Sequence, residues 1–212
     1  MPNLMSSSPI VDLAQHVRES TVDAHRAAEG RPFIVALMGG ELSLVDYERY
    51  LAQYAWVYEA LESRDRRASD PGIIDSALDR FAAIEADLAA LGVDDWRTQH
   101  PPLRATAAYA AHLRGIAGSD LPRYLAHHYT RYLGDLSGGQ AIARLVARHY
   151  GATDAQLSYF RFDGIEAIVP FKRQYRDGLN ALNFGREDSD QFVDEVNASY
   201  QFNSAIFDAL AS

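Results

Sequence analysis

The chain contains no cysteine among its 212 residues. That absence excludes disulfides, thiolate metal sites, iron–sulfur ligation, thioether-anchored cofactors and any cysteine nucleophile. No apolar run approaches the ~18 residues that a bilayer span needs. The first residues, Met1 to Ser8, lack the basic and apolar regions of a secretory signal, and no hydrophobic tail precedes Ser212. The expectation is therefore a soluble, cytoplasmic protein with no membrane partner. Basic charge is scarce as well, with 20 Lys and Arg against 29 Asp and Glu, a net of -9 and no long basic run. Nucleic acid and anionic surfaces are disfavoured as partners. His-Glu-x-x-His, Glu-x-x-His and phosphate-cradling glycine motifs are missing, which argues against zincins, di-iron bundles and nucleotide sites. The histidines at 16, 100, 112, 127, 128 and 149 show no close ligand spacing for zinc, and His127 and His128, being adjacent, read as packing or surface residues.

Period-two alternation is also missing, and what is present instead is helical spacing almost throughout. Ser8-Pro9 opens a first helix with Val17, Thr21, Ala24 and Ala28 along one side. A short helix near Phe33 to Met38 ends at Gly39-Gly40. Ser43 with Asp46 forms a capping-box pattern before a long helix carrying Leu44, Tyr47, Leu51, Tyr54, Tyr58 and Leu61. A loop at Asp70-Pro71-Gly72 leads to a helix burying Leu78, Phe81, Ile84, Leu88 and Leu91 and stopping at Gly92. Further helices are expected over 106–117, 120–150, 164–182 (irregular at Pro170) and 187–211. No repeat or linker divides the chain, so the expectation is one all-α domain over 10–212 behind a flexible segment at 1–9.

The helix over 120–150 carries Tyr129-Thr-Arg-Tyr-Leu-Gly-Asp-Leu-Ser-Gly-Gly-Gln140, with three interior glycines. Each costs about 1 kcal/mol of helix propensity relative to alanine, so Gly134, Gly138 and Gly139 forgo roughly 3 kcal/mol together. Gly134 and Gly138 are four apart and share a face, which bares about one turn of backbone. Close helix packing, a bend and a flat ligand lying on the backbone all fit that pattern. Asp135 among the glycines, with Arg131 four residues before it, tilts the reading toward a site.

This stretch resembles the distal-helix signature of the haem oxygenases. Thr21, His25 and Glu29 match the family's Thr-x-x-x-His-x-x-x-Glu pattern on the first helix. Phe171-Lys172 with Tyr175-Arg176, and Asn203 with Phe207, extend the resemblance over residues 10 to 210. It implies a multi-helix domain with haem b sandwiched between the first, proximal helix and the glycine-bearing, distal helix. The implied activity is oxidation of haem by O2 at a meso carbon, the α position by expectation, to biliverdin, carbon monoxide and ferrous iron. Haem is then both substrate and cofactor.

Site roles follow by the same resemblance. His25 is the axial ligand of the iron, and Glu29, one turn on, orients its ring. Gly134, Gly138 and Gly139 bring backbone against the ligand, and Asp135 holds proton-delivering water together with Tyr58, Arg131 and Asn203. Arg18, Lys172 and Arg176 receive the propionates, Tyr129 adds a hydroxyl, and Phe207 lines the haem wall. Taken singly, these residues read more blandly: a surface histidine, a core tyrosine, a helix ion pair and a solvated basic face. The chain departs from the pattern at Arg18, at Val22 where a second basic residue can stand, and at Tyr200 where phenylalanine is common. No flavin or nicotinamide motif is present, so electrons come from a ferredoxin, flavodoxin or NAD(P)H-dependent reductase, and the default state is a monomer. A thiaminase-type enzyme on a similar fold needs the cysteine this chain lacks. A haem carrier would have no use for Asp135 beside glycines.

Overall fold

The computed structural model describes residues 12–116 and 118–212. The expected flexible segment 1–9, the helix start at Ser8-Pro9 and Ala117 at the end of the expected 106–117 helix lie outside those residues. Among the described residues all repetitive structure is helical: α1 (Leu13–Ser20), α2 (Val22–Glu29), α3 (Pro32–Gly39), α4 (Leu44–Glu62), α5 (Phe81–Ala90), α6 (Trp96–Gln99), α7 (Arg104–Gly115), α8 (Leu121–Tyr150), α9 (Ile168–Asn180) and α10 (Arg186–Leu210), with three short 3₁₀ turns. None of these helices is long and apolar enough to cross a membrane.

Local chemistry accounts for the boundaries. The Asp12 carboxylate accepts from the Gln15 N–H and starts α1. The expected single first helix is broken at Thr21, whose backbone N–H and hydroxyl both bond to the Val17 carbonyl, at 3.0 and 2.8 Å. That double claim on one acceptor ends α1 and lets the chain restart as α2. α3 stops at Gly40, whose φ of +77° suits glycine. Ser43 and Asp46 form the expected reciprocal capping box before α4. α8 runs unbroken through its glycines from the Asp120 cap to Gly151. The irregularity expected at Pro170 does not occur: α9 begins at Ile168, so Pro170 falls in the first turn, where its missing N–H has no partner to lose.

The core is built around α4. Tyr47, Leu51, Tyr54, Tyr58 and Leu61 are all 1 % exposed or less. Each such side chain contributes ~1.5–3 kcal/mol on burial, so this stripe alone exceeds the propensity forgone by the α8 glycines. α4 packs on α5, α7 and α8, while α10 packs on α8, α7, α2 and α3. α2 and α8 are thus held chiefly through α10, and a gap is left between them.

Candidate functional site

That gap is a groove of about 530 Å³, within the range of small-molecule sites. One wall comes from α1 and α2, with Arg18, Thr21, Val22, His25 and Glu29. The facing wall is α8, with Tyr129, Leu133, Gly134, Ser137 and Gly138 on one stripe. Arg176 of α9 and Tyr200 of α10 close its sides. The groove shares Arg18, Val22, Tyr129 and Arg176 with an outer hollow of about 840 Å³, which adds Arg173. The outer hollow also carries Asp12, Glu19 and Asp177, but the mouth where the two meet holds Arg18 and Arg176, cations suited to the carboxylates of an amphipathic ligand.

His25 stands half-exposed in the groove. Its ring nitrogen Nε2 lies 3.3 Å from Glu29 Oε1, and its ring meets Tyr200 edge-on at 5.2 Å between centroids. With one ring nitrogen in contact with Glu29, the other is left for a ligand in the groove. Across the groove, a Cβ built on Gly134 or Gly138 meets nothing within 4 Å. These two positions therefore leave space rather than accommodate a neighbouring helix, and a flat group can approach the α8 backbone there. A histidine facing bare backbone across a slot with a cationic mouth fits haem.

Gly139 behaves differently, and the expectation that it joins the ligand surface is corrected. Its Cβ position lies 3.1 Å from Cδ1 of Phe160, a fully buried ring. One residue on a helix turns the face by about 100°, so Gly139 packs against the core while Gly138 faces the groove. Phe207 is likewise not in the groove. It is buried among Phe33, Tyr50 and Tyr54 at centroid distances of 6.3–6.4 Å. Lys172 is also absent from the groove lining: its Nζ donates to Ser137 Oγ at 3.1 Å, tying α9 to the groove-lining stripe of α8.

The rear of α8 holds a second constellation. The Asp135 carboxylate accepts from the hydroxyl of Tyr58 and, at 2.9 Å, from that of Tyr159. Both phenols are buried to within 1 %, which raises their pKa and keeps them protonated donors; the Asp135 charge adds to the effect. Burial also raises the Asp135 pKa, opposed first by the Arg131 charge and then by the two phenol bonds. Arg131 is buried, donates to Asn203 Oδ1 at 2.9 Å and lies 5.0 Å from the centre of the Tyr54 ring. Asn203 Oδ1 also accepts from Tyr54. Nε of Arg131 is buried without a partner, an orphaned donor that calls for an ordered water.

The hydrogen bonds fall into two groups, Asp135 with Tyr58 and Tyr159, and Arg131 with Asn203 and Tyr54, coupled by the attraction between Arg131 and Asp135; Tyr58, Arg131, Asp135 and Asn203 do not line the groove. Tyr159, Tyr54 and Arg173 were missed. Tyr54 was legible as the residue one turn before Tyr58 on α4. Tyr159 sits in a 3₁₀ turn, Ser158–Phe160, among apolar neighbours and carried no signal.

The family model described as "Heme oxygenase" matches residues 11–209. The chain is 34% identical to heme oxygenase 1 of Gallus gallus over 207 residues, covering 94% of this chain and 70% of that protein. It is 32% identical to heme oxygenase 1 of Nostoc sp., covering 94% and 86% of the two. Among solved structures, heme oxygenase-1 of Synechocystis sp. PCC6803 in complex with heme superposes with a TM-score of 0.87 at 29% identity, over 93% of this chain and 91% of that one. Heme oxygenase of Leptospira interrogans gives 0.86 at 32% identity, over 92% and 98%.

Proposed function

The chain belongs to the haem oxygenase family, and on that premise we propose that it takes free haem b into the α2–α8 groove and opens it at the α-meso carbon. The product of such an enzyme is biliverdin. Bound haem supplies the iron that takes O2 and the macrocycle that is cut, with release of carbon monoxide and ferrous iron. Everything else is the work of the chain's own residues. His25 would hold the iron from the proximal wall, with Glu29 fixing its ring through the second nitrogen. Arg18, Arg176 and the Tyr129 hydroxyl would bind the propionates at the cationic mouth. Lys172 orients α9 through Ser137 and draws its charge toward the same end. Gly134 and Gly138 would let the macrocycle lie on the α8 backbone and exclude bulk water from its distal face.

Asp135 acts at one remove. Its carboxylate is turned away from the groove, so it cannot touch the reacting atoms and works instead through water. Burial raises its pKa, opposed by the Arg131 charge and the two phenol bonds, so it holds a proton more readily than a free carboxylate does. Tyr58 and Tyr159 fix its two oxygens, and Arg131, itself fixed by Asn203, acts on it through its charge. Electrons come from an external ferredoxin, flavodoxin or reductase, and the reading includes a cytoplasmic monomer.

The observation that carries this reading is His25 facing two Cβ-less positions across one slot. Substituting His25→Ala is expected to abolish biliverdin formation and shift the Soret band of the bound haem, while the apo fold persists because this side chain is half-exposed. Added imidazole should restore part of the wild-type spectrum. An unchanged spectrum and unchanged turnover would remove His25 from the ligand role.

A further inference from the structure

A partly buried cluster lies outside the groove and apart from Asp135 and its phenol partners. Nε2 of His112, Nε2 of His127 and Oε2 of Glu195 come from α7, α8 and α10, and all lie within 4.8 Å of one another. Both imidazoles point at the same carboxylate oxygen, at 2.8 and 2.9 Å. None of the three lines the groove. We propose that His112, His127 and Glu195 form a three-ligand site for a divalent first-row transition ion, separate from the haem site.

Two imidazoles and one carboxylate are a donor set that zinc, ferrous iron and nickel accept. Metal–ligand bonds of ~2.0–2.2 Å around a central ion require neighbouring donors ~3.2–3.4 Å apart. The two imidazole–carboxylate distances therefore need to open by a few tenths of an ångström, and the two imidazole nitrogens, within 4.8 Å of each other, need to settle at the same spacing. His127 and Glu195 are already held from behind by hydrogen bonds, and the His112 ring packs on Phe202 at 5.0 Å between centroids. His127 Nδ1 pairs with the Tyr109 hydroxyl at 3.1 Å, and Tyr109 with Ser199 Oγ at 2.8 Å. Metal binding demands that Nε2 of His127 present its lone pair, which moves the ring proton to Nδ1. The hydroxyls accommodate that change by turning, Nδ1–H donating to Tyr109 and Tyr109 donating to Ser199.

Arg123 Nε donates to Glu195 Oε1 at 2.5 Å, leaving Oε2 as a single ligand atom. The side chain of His112 is 25% exposed and that of Glu195 11%, so the cluster opens to solvent on one side. An ion can enter there, and a water can complete its coordination.

Equilibrium dialysis of the full-length apo chain against zinc tests this directly. One zinc per chain is expected in the wild type and equally in His25→Ala, which removes the groove histidine. In His112→Ala the affinity should fall by more than about tenfold, with haem binding unchanged. Cobalt(II) provides a second readout on the wild type alone: intense visible bands mark a four-coordinate nitrogen and oxygen site. The proposal is overturned by a wild type that takes up no stoichiometric zinc, by equal uptake in His112→Ala, by uptake lost only in His25→Ala, or by a six-coordinate aquo-like cobalt spectrum.

Discussion

The two faces of α8 differ in kind although they share one sequence motif. The front face, Gly134 and Gly138, has no side chains, opens on a groove and meets nothing at its Cβ positions. The rear face, Arg131, Asp135 and Gly139, is turned into a packed interior of tyrosines and Phe160. The lesson is that glycine serves opposite ends within one turn. At the front it leaves room for a ligand; at position 139 it leaves room for the protein's own core. The division extends to charge: the groove-mouth cations Arg18 and Arg176 are exposed, while Asp135 and Arg131 are held in hydrogen bonds. Binding belongs to the front face and proton handling to the rear.

The sharpest way to break this comparison is to put the same methyl group on both faces. Gly138→Ala gains about 1 kcal/mol of helix propensity without a clash, so the apo protein should melt about 2–4 °C higher. The same methyl intrudes on the slot, and haem should bind more weakly. Gly139→Ala must push on Phe160, which is 1% exposed and packed between Tyr47 and Tyr159. Overpacking of this kind costs about 1–3 kcal/mol, enough to cancel or exceed the propensity gain. Its melting temperature should fall or stay level, with haem affinity retained. Calorimetry of the two apo variants and haem titration check the pair. A rise for Gly139→Ala and a fall for Gly138→Ala would reverse the assignment of faces.

A smaller effect is expected at the mouth. Arg176 is exposed, and an exposed charge contact is worth only about 0–1 kcal/mol. Two seatings of haem within ~1.4 kcal/mol of each other mix at more than one part in ten. Val22 supplies no second cation on α2, so Arg176→Glu should loosen the seating and yield a second biliverdin isomer beside α. Chromatography of the products reads this out. Pure α product from the variant would mean that groove packing, not Arg176, sets the orientation.

Most of the architecture was legible because it rests on local chemistry. The capping box at Ser43, the Asp120 cap and the glycine stop at 151 act within a few residues, and the sequence displays them. The break at Thr21 was not legible, because a helical threonine and one that ends a helix look the same until the Val17 carbonyl is seen to be doubly engaged. The site divides in the same way. His25, Glu29, Gly134 and Gly138 lie on two helices whose faces can be drawn from spacing, and they converge. Gly139 and Phe207 were assigned to the ligand surface by resemblance, but helix phase carries both into the core. Tyr159 reaches Asp135 from a 3₁₀ turn 24 residues away in sequence, a tertiary contact with no local signature. The same reason hid the gathering of His112, His127 and Glu195.

The division of labour across α8 is tested most directly by Asp135→Ala, compared side by side with the wild type. Haem is titrated into each apo protein, and the complexes are then exposed to O2 with ascorbate while the Soret band and biliverdin absorbance are followed. Equal haem affinity is expected, with Soret loss and biliverdin appearing only in the wild type. Biliverdin formation at the wild-type rate by Asp135→Ala, or loss of its haem binding, would contradict the assignment of proton handling to the rear face.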